Sequence, residues 1–256
     1  MIRSRDALQD TALIAVFAAL IAVFTALVPG FALGPVALTL QTLAVALSGL
    51  ILGPLRGTLA VLLYMGVGLA GLPVFSQGQA GVGVLGGGSA GYLLGFPLAA
   101  LLIGALARLC LRGQRQPVSV AAPAEERPIG RDGEERHPRR RWEERRRGRD
   151  GEGRPPRRRW EERRRGRDGE DHPPQRWLTG QLTAVAVLGS LLVIHPAGIL
   201  GLMLNTHLTW QAALVYDLRF WPGDLVKGFL AGVIAVAVHR AFPALAARPE
   251  PAPLPA

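Results

Sequence analysis

Apolar residues in this chain gather into six runs separated by polar or glycine-rich stretches, the longest of them between the fourth and fifth runs, and these runs set the expected elements. They extend from about Ala7 to Val28, Val36 to Leu52, Thr58 to Leu72, Ala90 to Leu109, Leu178 to Leu204 and Gly223 to Ala241. A run of ~20 apolar residues matches the ~30 Å hydrocarbon core of a bilayer, where a helix satisfies all its backbone polar groups within one segment. The pattern therefore predicts an all-α membrane protein with six transmembrane helices. Runs two and three fall short of ~20 residues and are expected to be tilted, broken or partly re-entrant. On the first run Ala15, Ala19, Ala22 and Ala26 recur at intervals of three and four. Such a flat stripe admits close approach by another helix, either of this chain or of a partner.

Charge sharpens the picture. From Thr39 to Gly95, 57 residues carry one formal charge, Arg56, in a turn reading Gly53-Pro54-Leu55-Arg56-Gly57. The net charge of +10 resides mostly elsewhere, because Leu111 to Arg176 holds 21 Arg against 14 Asp or Glu. That stretch repeats with period 18: the fourteen letters from Arg139 to Glu152 recur from Arg157 to Glu170. Dense mixed charge with so little apolar surface does not repay the entropy of ordering, so the insertion is expected to be disordered. Its Arg clusters around Trp142 and Trp160 offer contact with anionic lipid as a secondary reading, and a membrane-tethered nucleic-acid binder is a remoter one. The organisation is thus helices 1–4 within residues 1–112, a low-complexity loop at 113–176, helices 5–6 within 177–243 and a Pro/Ala-rich tail at 244–256.

Basic residues also orient the chain. With the N-terminus in the cytoplasm, 27 Arg lie inside and only Arg219 and Lys227 lie outside. Six spans then return the C-terminus and the Arg-rich loop to the cytoplasmic side of the plasma membrane. The run from Ala12 to Val28 exceeds the 7 to 15 residues usual for a signal-peptide core, so it is expected to be retained as a helix.

Several motif matches carry no chemistry. Gly66 to Gly71 and Gly81 to Gly86 both fit G-x-G-x-x-G, yet neither follows a strand, and no acidic residue stands between Asp10 and Glu125 to hold a ribose. Gly87-Gly88-Ser89-Ala90-Gly91 fits a hydrolase elbow without its strand-turn-helix setting. His195, His207 and His239 lack metal-ligand spacing, and a lone Cys110 forms no internal disulfide. No enzyme, metal or cofactor is expected.

Polar residues inside the apolar runs are the remaining candidates. Asp224 and Lys227 are three apart at the start of the last run and share a helix face, either as a binding pair or as a salt bridge anchoring the helix. Gly71 to Gly91 forms a long glycine-rich connection suited to a lid, with Phe75, Gln77, Gln79 and Tyr92 as its side chains able to stack or hydrogen bond. Thr39, Gln41 and Thr42 are polar enough to turn into the bundle interior.

Four strings in order are specific: Thr39-Leu40-Gln41-Thr42-Leu43, YMGVGLAGLPVF from Tyr64, GYLLGFP from Gly91, and Trp221-Pro222-Gly223-Asp224-Leu225-Val226-Lys227. Together they resemble the BioY family, the biotin-binding S component of energy-coupling factor (ECF) transporters. The resemblance covers nearly all of the chain outside residues 113–176. It implies an S-component-like bundle, biotin as ligand, and as partners a transmembrane coupling subunit and two ABC-type ATPases, with the alanine stripe as the coupling face. It further implies that Asp224 accepts from a ureido N–H with Lys227 beside it, and that Tyr92, Gln77, Gln79, Phe75, Thr39 and Gln41 complete the substrate site. An S component for a different vitamin is the neighbouring alternative. The chain departs from the family at Gly87 to Tyr92, where a proline is usual, and at Trp221, where leucine is.

Overall fold

The computed structural model describes residues 2–27, 31, 32, 36–112, 175–243 and 245. The expectations for the Arg repeats and for the Pro/Ala-rich tail lie outside the described residues. The architecture is helical, its one extended pairing among the described residues being a two-residue antiparallel bridge of Phe31–Ala32 with Ala37–Leu38. The helices are α1 (Ile2–Leu27), α2 (Gln41–Leu52), α3 (Pro54–Leu69), α4 (Ala90–Arg112), α5 (Gln175–Gly189), α6 (His195–Thr206), α7 (Trp210–Asp217) and α8 (Trp221–Ala241).

Four stretches are long and apolar enough to cross a membrane, namely Ala7–Ala26, Ala90–Arg112, Arg176–Thr206 and Trp221–Ala241, whereas α2 and α3 are short, at 12 and 16 residues. Outward faces agree with a lipid solvent, since Leu59, Leu62, Leu98, Leu192 and Phe229 are all exposed. The alanine stripe of α1 also faces outward at Ala15, Ala19 and Ala26, while Ala18, Ile21 and Thr25 turn inward.

Three expected boundaries shift for physical reasons. The turn around Arg56 is already helical, because Pro54 occupies the first turn of α3, where its missing N–H costs nothing. Gly53 absorbs the break between α2 and α3 with φ +83°, a value that disfavours any residue with a Cβ. The fifth run is one continuous helical path from α5 to α6, but Ser190–Ile194 between them is wound as a π-helix. Pro196 supplies the cause: it has no N–H for the carbonyl four residues back, and its ring crowds that carbonyl. Sequence patterning did not anticipate α7 at all.

α2 is the innermost element, with eleven of its twelve residues buried. It packs against α3, α4 and α8, and His239 of α8 donates Nε2–H to the Leu50 carbonyl at 2.9 Å. That bond satisfies one of the carbonyls left over where α2 ends. α8 lies against α5 along Gly228 and Gly232, where a Cβ would run into Val187 and Thr183. This small-xxx-small spacing is how helices approach closely without a hydrophobic drive from water. Towards the end of the bundle away from the pocket described below, Arg56 of α3 donates to Asp10 of α1 at 2.8 Å and is itself only 6 % exposed.

Candidate ligand-binding site

The start of α2, the start of α4, the start of α8 and the 70–89 connection meet at one end of the bundle. They enclose a cavity of about 80 Å³. Each element arrives there for a local reason. Phe75 on the connection sits in a notch left by Gly68, whose Cβ would clash with the ring. The same ring meets Tyr64 edge-on at 5.6 Å between centroids. Gly81 N–H bonds back to Gly68 O at 2.8 Å, and Asn205 of α6 donates to the carbonyls of Leu85 and Gly87 at 3.1 and 2.9 Å. The connection is therefore pinned at both ends. Inside the loop that the Gly68–Gly81 bond closes, Gln77 is held at φ +60°, a conformation uncommon for a residue with a side chain.

The polar floor is buried and mutually bonded. Lys227 Nζ donates to Asp224 Oδ1 at 2.8 Å and to Thr42 Oγ1 at 3.1 Å, while the Thr42 hydroxyl donates to Asp224 Oδ1 at 2.9 Å. The carboxylate and the ammonium are each about nine-tenths buried, so their mutual attraction is stronger than in water and losing one partner is costly. Gln41 donates Nε2–H to Tyr64 Oη at 2.9 Å, and the Tyr64 hydroxyl passes a bond on to Val74 O at 3.1 Å. The Thr39 hydroxyl accepts from Gln41 N at 3.3 Å.

A second polar cluster lies behind this floor. Tyr92 donates its hydroxyl to Asp217 Oδ1 at 2.8 Å, its ring filling the space left by Gly198 and meeting Phe220 at 5.9 Å. Asp217 also receives Trp221 Nε1–H at 2.9 Å and His195 Nδ1 at 2.9 Å. His195 Nε2 faces Asp224 Oδ2 at 3.4 Å.

All eight residues singled out from the sequence, Asp224, Lys227, Tyr92, Gln77, Gln79, Phe75, Thr39 and Gln41, line this one cavity. Thr42, Ser76 and Ser89 line it as well, together with the apolar walls Val36, Leu93, Phe96, Ile194 and Phe220. Sequence reasoning missed Asp217 and His195. Asp217 falls between the fifth and sixth apolar runs, where no candidate is expected, and His195 enters the sequence reading only through the test for metal-ligand spacing. For His195 the available signal is the rarity of an ionisable residue inside an apolar run. The chemistry on offer is recognition: one carboxylate, one ammonium, hydroxyls and amides around an apolar slot. Among the described residues no group of three or more His, Cys, Asp or Glu could hold a metal ion.

Comparison with known proteins agrees with the four sequence strings. A biotin transporter BioY of Rhizobium etli is 28% identical over 243 residues, covering 94% of this chain and 98% of that protein. Biotin transporters BioY of Thermotoga maritima and Rhodobacter capsulatus are 52% and 40% identical over 75 and 115 residues. Those two matches cover 29% and 44% of this chain and 44% and 58% of those relatives. The fold matches a crystal structure of the S-component for biotin from an ECF-type ABC transporter with a TM-score of 0.64 at 19% identity, covering 92% of this chain and 93% of that one. The BioY family model matches residues 2–124 and 164–244, most of the chain, and this protein therefore belongs to the BioY family.

Proposed function

We propose that this protein captures biotin outside the cell and serves as the substrate-binding S component of an ECF-type vitamin transporter in the plasma membrane. The observation that carries the reading is the convergence of the buried Asp224–Lys227 pair and the Gln77/Gln79 connection on one cavity. Biotin has the matching chemistry. Its ureido group presents two N–H donors and one carbonyl acceptor, which suit a carboxylate beside an ammonium, and its thiophane ring suits the walls formed by Phe75, Tyr92, Phe96 and Phe220. Gln41 and Thr39 complete the floor. At about 80 Å³ the cavity is smaller than the roughly 300 Å³ of common ligand pockets, and in this reading the 70–89 connection shifts to accommodate the ligand.

In this reading α2 and α3 join the four long stretches as six spans, with both termini and residues 113–176 in the cytoplasm and the cavity facing outward. The 27 to 2 partition of basic residues supports that orientation. The protein is a binding subunit rather than a catalyst, and it relies on a coupling transmembrane subunit and ABC-type ATPases for energy. The exposed alanines of α1, Ala15, Ala19 and Ala26, support a partner helix there. The Arg-rich insertion is dispensable for binding. Calorimetric titration of the purified chain with biotin, thiamine and riboflavin tests the reading: heat with biotin alone supports it, and binding of another vitamin in its place replaces it.

A further inference from the structure

We propose that His195 and Asp217 are positioning residues for biotin binding: a buried imidazolium joins the Asp217 and Asp224 carboxylates and fixes the latter towards the cavity. The proposal rests on the reading of Asp224 as the residue that meets the ligand.

His195 reaches the cluster because the π-wound turn Ser190–Ile194 ends at its backbone, and the ring, 2% exposed, lies between the end of α7 and the start of α8. Asp217 is fully buried at the end of α7 and is contacted by three donor groups, the Tyr92 hydroxyl, Trp221 Nε1–H and His195 Nδ1. Its two oxygens thus serve as acceptors for the Tyr92 hydroxyl and the Trp221 indole N–H, with His195 Nδ1 beside them. A neutral imidazole has one N–H and one lone pair, yet both ring nitrogens of His195 look onto carboxylates, Nδ1 at 2.9 Å and Nε2 at 3.4 Å. Nε2 aimed at Asp224 without its proton would set lone pair against carboxylate.

Charge counting leads to the same state. Asp217 and Asp224 face Lys227 and His195, and the cluster is neutral only when the imidazole carries a second proton. A buried cluster with one uncompensated charge is expensive, so neutralising His195 alone disturbs the carboxylate that Lys227 and Thr42 hold from the other side. The Asp224 carboxylate is therefore bonded at Oδ1 by Lys227 and Thr42, while Oδ2 faces the His195 ring at the ion-pair distance of 3.4 Å, and the two sides together orient it towards a ureido N–H.

The test is biotin calorimetry on the full chain in nanodiscs for wild type, His195→Gln, Asp217→Asn, the double variant and Asp224→Asn. His195→Gln is expected to weaken binding roughly 10- to 100-fold, the span for a lost charged hydrogen bond. The double variant restores neutrality and is expected to recover most of that loss, an outcome that mere damage to packing does not produce. If Asp224→Asn weakens binding while His195→Gln binds like wild type, the positioning role is wrong and the ligand site stands. If Asp224→Asn itself binds like wild type, the ligand reading fails first and takes the proposal with it. Nitrogen NMR of histidine-labelled wild-type protein needs no substitution. At pH 8, where exposed histidines are neutral, one of the five should show both ring nitrogens protonated, and five neutral rings would overturn the proposal.

Discussion

Thr42, Asp224 and Lys227 form a closed triangle of hydrogen bonds with sides of 2.8 to 3.1 Å that orients the carboxylate and the ammonium before any ligand arrives. Substituting Asp224 by Asn removes the charge that a ureido N–H would meet and is expected to cost ~1 to 3 kcal/mol of biotin affinity, measured by calorimetry. Lys227→Ala and Asp224→Ala are each expected to impair binding, while the double variant loses less than the sum, because each single change strands its partner. Melting temperatures on the same four proteins separate this from an anchoring role, in which stability would fall and the affinity of the folded fraction would not. The pair was legible in the sequence because two charges three apart in an apolar run have few bland explanations. The Asp217–His195 contact spans 22 positions and was not legible, since nothing local ties a histidine in one helix to an aspartate at the end of another.

At the scale of elements, the fold depends on close backbone approaches rather than on bulk. Gly232 faces Thr183 so tightly that Gly232→Leu is expected to destabilise the α5–α8 contact by ~1 to 3 kcal/mol or more, read as a lower melting temperature in a fixed detergent. Asn205 holds the connection by two backbone carbonyls and lies outside the cavity lining. Asn205→Ala is expected to leave the polar floor intact and to speed biotin dissociation, as followed by a chase with unlabelled ligand. Unchanged dissociation would mean that the connection does not retain the ligand. Periodicity and length announced the long helices. They did not announce α7 or the π-wound turn, because an eight-residue helix has too few turns to set a pattern and the turn depends on where Pro196 falls in an otherwise uniform apolar run. The start of α3 was misplaced for a related reason: a Gly-Pro pair ends one helix and begins the next within two residues.

For the whole molecule, the proposed binding site belongs to the helical bundle and includes no residue of the Arg-rich insertion. Removing residues 115–174 is expected to leave biotin affinity within about twofold of the parent chain, a difference of less than ~0.5 kcal/mol. Loss of binding on that deletion would move function into the insertion. Orientation is open to a separate check, because Cys110 is the single thiol and lies near the end of α4 on the side assigned to the cytoplasm. It is expected to react in whole cells with a membrane-permeant maleimide and not with an impermeant one; efficient labelling by the impermeant reagent would invert the topology. Whether the cavity at the starts of α2, α4 and α8 is a biotin site is decided by calorimetric titration of the purified protein with biotin. Saturable one-to-one binding is expected, with no heat from thiamine or riboflavin, and a flat biotin titration of folded protein would rule the site out.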